Sequence, residues 1–218
     1  KAAPDEQSEL SALDELAKLE DISGDDILAI GASMKALETR SKGKGEDFFR
    51  PRLKRAAKAL ERCTREKDKT PIAELLERES DDLTRNLVSP FDDKASEGDA
   101  VRVSRVAILI ELAGKSKNKA ALPALRRISK KGGIPADLAQ KAIGQIGEPE
   151  DLDAFIDEVK HNQRSRLDFS GFGPGIIDRI MREVDNQKLD DSARAALIAR
   201  LGQATGPDAT GKLRELTR

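Results

Sequence analysis

The side chains able to do chemistry are few in this sequence and are not matched to one another. It holds one histidine, His161, and one cysteine, Cys63, far apart along the chain. No stretch therefore offers a nucleophile beside its base, or a His/Cys set at metal-ligand spacing. Cys63 falls on the apolar stripe of a helical pattern and reads as a small buried hydrophobe. His161 falls at a helix C-terminus, where the dipole favours a cation. Paired acids recur at Asp25-Asp26, Asp81-Asp82, Asp92-Asp93 and Asp190-Asp191. Sequence neighbours do not make a general acid/base pair, which needs two carboxyls facing one reacting atom. The reading is of a non-enzymatic chain, with no catalytic residue, no metal ligand and no cofactor to name.

Binding chemistry is better represented. Arg126, Arg127 and Lys130 (with Lys131) fall between the buried positions of one helix, and Asp153, Asp157 and Glu158 between those of a later one. This change of sign suits a partner segment carrying both charges; the plain alternative is two solvated helix faces. Phe169 and Phe172, flanked by Ser170, Gly171 and Gly173, are either apolar anchors for a partner or packing across a seam. Gly173-Pro174-Gly175 ahead of a helix leaves backbone N–H groups able to hold an anion, without the glycine spacing of a dinucleotide fingerprint. Arg52, Lys54, Arg55, Lys58, Arg62 and Arg65 form a basic ridge that could face nucleic acid. Glu61, Glu66 and Asp68 dilute it, and no Trp or Tyr is present to stack on a base.

Composition sets the frame that must position these residues. Charged residues make up 36% of the 218 and aromatic ones 3%, so any core is built from Leu, Ile, Val and Ala. That favours helices over strands. The formal charge of −1 argues against a dedicated nucleic-acid binder. One cysteine excludes an intrachain disulfide and leaves the compartment open. No apolar run reaches the length of a membrane span. The polar start KAAPDEQSE, without Met, suits a mature extracytoplasmic (periplasmic or secreted) form and a trimmed cytoplasmic one equally.

Periodicity predicts helices throughout and no strand. Residues 8–20, with Ser8 as N-cap and Ser23-Gly24 as a stop, pair with a helix capped by Asp25 or Asp26, and 41–45 form a basic linker. One long helix is expected from 46 to 68, its regular part starting near Arg50 because of Pro51, and Thr70-Pro71 should open the next, through Leu83 and Leu87. Residues 89–98 read as a loop. The most apolar helix, 99–113, should be central and end at Gly114. Helices at 119–130, from Pro135 to Gly147, and at 151–161 follow. An irregular insertion at 162–175 precedes helices beginning at Ile176, Leu189 and Pro207.

Four of these segments align as a small-residue helix, a turn and a second helix. They read AAKALERCTREKDKTPIAELLER, SRVAILIELAGKSKNKAALPALRRI, AQKAIGQIGEPEDLDAFIDEV and ARAALIARLGQATGPDATGKLREL. A unit this small cannot bury its own apolar face and must stack on neighbours. The third segment resembles the short HEAT-like repeat first recognised in phycobilin lyases. Ala142, Ile143, Gly144, Ile146, Gly147, Pro149, Leu152 and Phe155 occupy that family's positions, with Ile143 and Phe155 in place of its usual Leu. The match is best over 100–161 and 190–218.

The resemblance implies an all-α fold, an α-α superhelix of antiparallel pairs lined inside by the second helices. Its parts would be an N-terminal hairpin or cap at 1–45, a degenerate repeat at 46–98 and HEAT-like repeats at 99–218. Such solenoids mostly bind proteins, so another protein or peptide is the expected partner. A nucleic-acid-binding solenoid and a lyase- or chaperone-like protein that handles a chromophore are the alternatives. Fold alone does not choose among them.

Overall fold

With so few aromatic side chains, burial has to come from aliphatic stripes on short helices, and that is how the chain folds. The computed structural model describes residues 6–82, 96–131, 133–161, 167, 169–172 and 175–201. Among them are ten α-helices and no strand: α1 Glu6–Leu16, α2 Gly24–Arg40, α3 Glu46–Leu60, α4 Glu66–Asp82, α5 Glu97–Lys115, α6 Leu122–Ser129, α7 Gly133–Ile146, α8 Pro149–His161, α9 Gly175–Val184 and α10 Asp191–Leu201. Short 3₁₀ turns, Lys119–Ala121 and Ser170–Phe172, precede α6 and α9. No helix among the described residues is long and apolar enough to cross a membrane. The expected Leu83 and Leu87, the loop at 89–95 and the closing helix at 207–217 lie outside the described residues.

Contacts gather the chain into two units, 1–139 and 140–218, and the division falls within α7. In the first unit α1 packs on α3 and α3 on α5, while α2 packs on α4 and α4 on α6. α2 also meets α3 and α5, and α4 meets α5 and the first 3₁₀ turn. α5 is central, as its composition predicts; Glu111 and Lys115 are its only exposed residues. In the second unit α10 packs on both α8 and α9.

Several helix ends differ from the sequence expectation, each for a local reason. Ser23 starts α2 instead of stopping α1: its hydroxyl accepts the Asp26 N–H at 3.1 Å, and the Asp26 carboxylate accepts the Ser23 N–H at 3.2 Å. Ser96 and Asp99 form the same reciprocal cap, so α5 starts two residues early and Gly98 is helical. The expected 46–68 helix is divided. Asp68, almost fully buried, accepts the Arg65 N–H at 3.0 Å and opens a new helix at Glu66. Pro51 and Pro71 therefore lie inside α3 and α4. Each is the sixth residue of its helix, so the ring costs one backbone hydrogen bond close to the helix start. Gly114 does not stop α5. Lys117 takes the left-handed turn, φ 50°, donating to Gly114 O at 3.0 Å while Asn118 N–H donates to Ala113 O at 2.9 Å.

Glu9 of α1 is the polar tie of this unit's first helices. Its carboxylate accepts from Arg40 at 2.9 and 2.8 Å and from Ser33 at 2.7 Å, with Arg52 at 3.8 Å. Burial pushes its pKa up, but the bonds from Arg40 and Ser33 and the charges of Arg40 and Arg52 outweigh that and hold it below its ordinary 4.5. A depressed folded pKa contributes stability above the unfolded value, and that stability is lost as pH falls through the folded one. Glu9→Gln is therefore expected to lose about 1–2 kcal/mol at pH 7. The gap from the parent chain in urea melts should shrink as pH falls below about 4; a gap constant between pH 7 and 3 would contradict the assignment.

Candidate functional site

α4 buries Ile72, Leu75, Leu76 and Glu79 and turns Thr70, Ala73, Glu74, Glu77 and Arg78 the other way. Together with Ala120 of the first 3₁₀ turn, these outward residues line an open groove of about 430 Å³. The space follows from side-chain size: Thr70, Ala73 and Ala120 are small, and the longer Glu74, Glu77 and Arg78 border them. Asn118, fully buried, fixes one side by donating from Nδ2 to the Lys69 carbonyl at 2.8 Å. Arg127 of α6 fixes the other, donating from Nη2 to Ser80 Oγ at 2.8 Å and pairing with Glu77. Glu74 and Arg78 pair loosely at 3.7 Å.

Of the basic residues picked from the sequence, Arg127 thus pairs with Glu77 of this groove's border and is tied to α4. Arg126 is half-buried, and Lys130 is exposed. Glu77 and Ser80, which hold Arg127, were not picked. They lie nearly fifty residues away in sequence, and helical periodicity says nothing about such pairing.

The acidic set lies in the second unit and is met by cations of its own neighbourhood. Asp153 pairs with Arg179 at 2.9 Å and Asp157 with Lys160 at 2.7 Å. Arg179 and Lys160 both reach Glu183 of α9, at 2.5 and 3.2 Å. The hydrogen bond from Lys160 holds Asp157 below its usual range, and that from Arg179 does the same for Glu183. Glu158 is half-buried. His161 donates from Nδ1 to the Asp157 carbonyl at 2.7 Å, an ordinary helix-end bond.

Phe169 is fully buried and meets Phe155 edge-on at 5.8 Å; half-buried Phe172 meets Phe155 at 5.6 Å. Phe169 has no exposed surface to offer a partner in this state, and Phe172 has only part of its ring. Beside them Gly147, with φ 73°, and Gly171 bring two backbones together with no room for a Cβ. Of the anion-holding Gly173-Pro174-Gly175, the first two residues lie outside the described ones.

The basic ridge from Arg52 to Arg65 is largely spent on internal partners. Arg52 is not exposed: it is 6% accessible, stacks over the Phe48 ring at 4.0 Å and donates to the Phe48 carbonyl. Arg55 pairs with Asp14 at 3.0 Å. Arg62 donates to the Leu19 carbonyl at 3.1 Å, and Arg65 to Glu20 O at 2.7 Å and Asp21 at 2.9 Å. Lys54 and Lys58 remain exposed. Cys63 is buried, and burial first, then Asp68, pushes its thiol up to about 11, too high for a reactive thiolate at neutral pH.

Chemically, the groove offers a shallow, largely apolar channel with small residues at its base and both charges at its border. In comparisons with known proteins, no family model, no curated protein and no solved structure matches this chain.

Proposed function

We propose that this chain is a non-enzymatic helical-repeat module of the HEAT-like kind that binds another protein or peptide. The observation that carries the reading is the packing of alternate helices in the first unit, α1–α3–α5 and α2–α4–α6. Alternate-helix stacking is what an α-α superhelix requires. The second of these series carries the groove along α4. Its small base admits an extended backbone, and Glu74, Glu77 and Arg78 at its edge give such a segment polar contacts of both signs. The border pairs are exposed, so exchanging them for a partner's charges costs little.

A peptide-display selection on the full chain tests this. Ala73→Trp fills the groove without touching the core. Selected peptides should bind it at least about tenfold more weakly, a loss of roughly 1.4 kcal/mol, and should be unaffected by Lys18→Ala on the exposed turn after α1. A selection yielding only peptides indifferent to Ala73→Trp and to Arg78→Glu would overturn the reading.

A further inference from the structure

α3 and α5 lie side by side, and between them is a cleft of about 70 Å³, separate from the groove on α4. Its apolar wall is Ala57 and Leu60 from one helix, Ile108 and Leu112 from the other. Leu60 and Leu112 are buried, whereas Ala57 and Ile108 remain half-exposed to the cleft. A space of this size takes several waters or one branched alkyl group.

The mouth has a distinct chemistry. Glu61 and Glu111 stand there with Thr64 and Lys115. Glu61 is exposed and forms no ion pair among the described residues. Lys115 reaches Glu111 only at 3.8 Å, with both side chains more than half exposed. The arginines nearest in sequence are committed elsewhere, Arg62 to the Lys18 and Leu19 carbonyls and Arg65 to Glu20 and Asp21. So an apolar hollow opens under two carboxylates and one loosely held lysine. The two exposed residues of α5, Glu111 and Lys115, both stand at this mouth.

We propose that the α3–α5 cleft is a second interaction site, one that receives a leucine-sized apolar side chain presented beside a lysine or arginine by a partner protein. The hollow selects the alkyl body by size. Glu61, which has no ion pair among the described residues, and weakly paired Glu111 select the adjacent cation, which reaches Glu61 with no described partner to displace. The site is independent of the groove on α4, so a chain using both would join two partner segments.

The probe is isopentylammonium, which carries a leucine-like branch and a cation, compared with the neutral isopentanol. Titrated into the ¹⁵N-labelled chain, the ammonium ion should shift the amides of Ala57, Ile108 and Leu112 with a dissociation constant on the order of 1–10 mM. The alcohol should bind about three- to fivefold more weakly. Glu61→Gln with Glu111→Gln should reduce the ammonium ion to the alcohol's affinity, and Ala57→Leu should abolish both. The glutamine substitutions are at exposed positions and keep the proposal testable even if Ala57→Leu fails to fold. Equal affinity for ion and alcohol, or shifts away from the cleft, would overturn it. So would self-association of the chain that Ala57→Leu removes, since the occupant would then be a second copy.

Discussion

Arg105→Met is expected to destabilise the first unit by about 3–5 kcal/mol, a large fraction of a typical folding free energy. Arg105 of α5 is 1% exposed, and its Nη2 bridges Glu38 of α2, at 2.5 Å, and Glu79 of α4. Three helices therefore meet on one guanidinium. Glu38 keeps a second partner in Arg102, at 3.3 Å, but Glu79 has only Arg105 among the described residues. Removing the arginine leaves the Glu79 carboxylate buried and unpaired, and that penalty is the main loss. Replacing both ends with apolar groups of similar size removes the penalty along with the attraction. Arg105→Met combined with Glu79→Leu should thus recover most of the stability. Nε and Nη1 of Arg105 are buried without hydrogen-bond partners, which further lowers the net worth of the native cluster. Urea melts of the two single variants and the double one measure the coupling directly. A single-variant loss under about 1 kcal/mol, or no recovery in the double, would mean that the cluster does not hold these helices together.

Gly147→Ala is expected to be the most damaging one-methyl change in the second unit, at about 2–4 kcal/mol. Two penalties add. The residue ends α7 at φ 73°, where a Cβ is strained, and its N–H closes the helix on Ile143 O at 2.9 Å. A Cβ would also run into the backbone of Gly171 and the Phe172 nitrogen, atoms that cannot swing aside as a side-chain end can. Gly171→Ala meets the reverse side of the same contact, the carbonyls of Gly144 and Gln145. Gly175→Ala is the control, because nothing lies near its added methyl. Thermal melts should show drops of roughly 5–12 °C for the first two changes and little for the third. Equal effects for all three would remove the close approach as the cause.

Much of this was legible in the residues, and the reasons can be named. Ile27, Ile30, Met34 and Leu37 predict a helix stripe and form one, because burial on a helix repeats with the backbone period. The apolar run through Val106 and Ile110 predicts a central helix for the same reason. Gly147 before Pro149 predicts a sharp turn, since few residues other than glycine take a positive φ cheaply. Helix ends were less legible where a side chain decides them. Asp68 and Ser96 act through bonds three residues away that other helix-start signals mimic.

The tertiary structure alone decided which charges are available. Arg52 reads in sequence as part of a solvated ridge, yet it is buried over Phe48, and Arg105, which no motif singles out, is buried between two carboxylates. Arg127, Asp153 and Asp157 fall on outward faces as expected, but each has an ion-pair partner, one on another helix for Arg127 and Asp153 and one within α8 for Asp157. The sequence by itself determined an all-helical chain with aliphatic seams, because helix periodicity and side-chain type are local properties. Which carboxylate meets which guanidinium, and where small residues leave a groove or a cleft, depends on how separate helices come together. That arrangement is set by the sum of many long-range contacts, and no spacing along the chain records it.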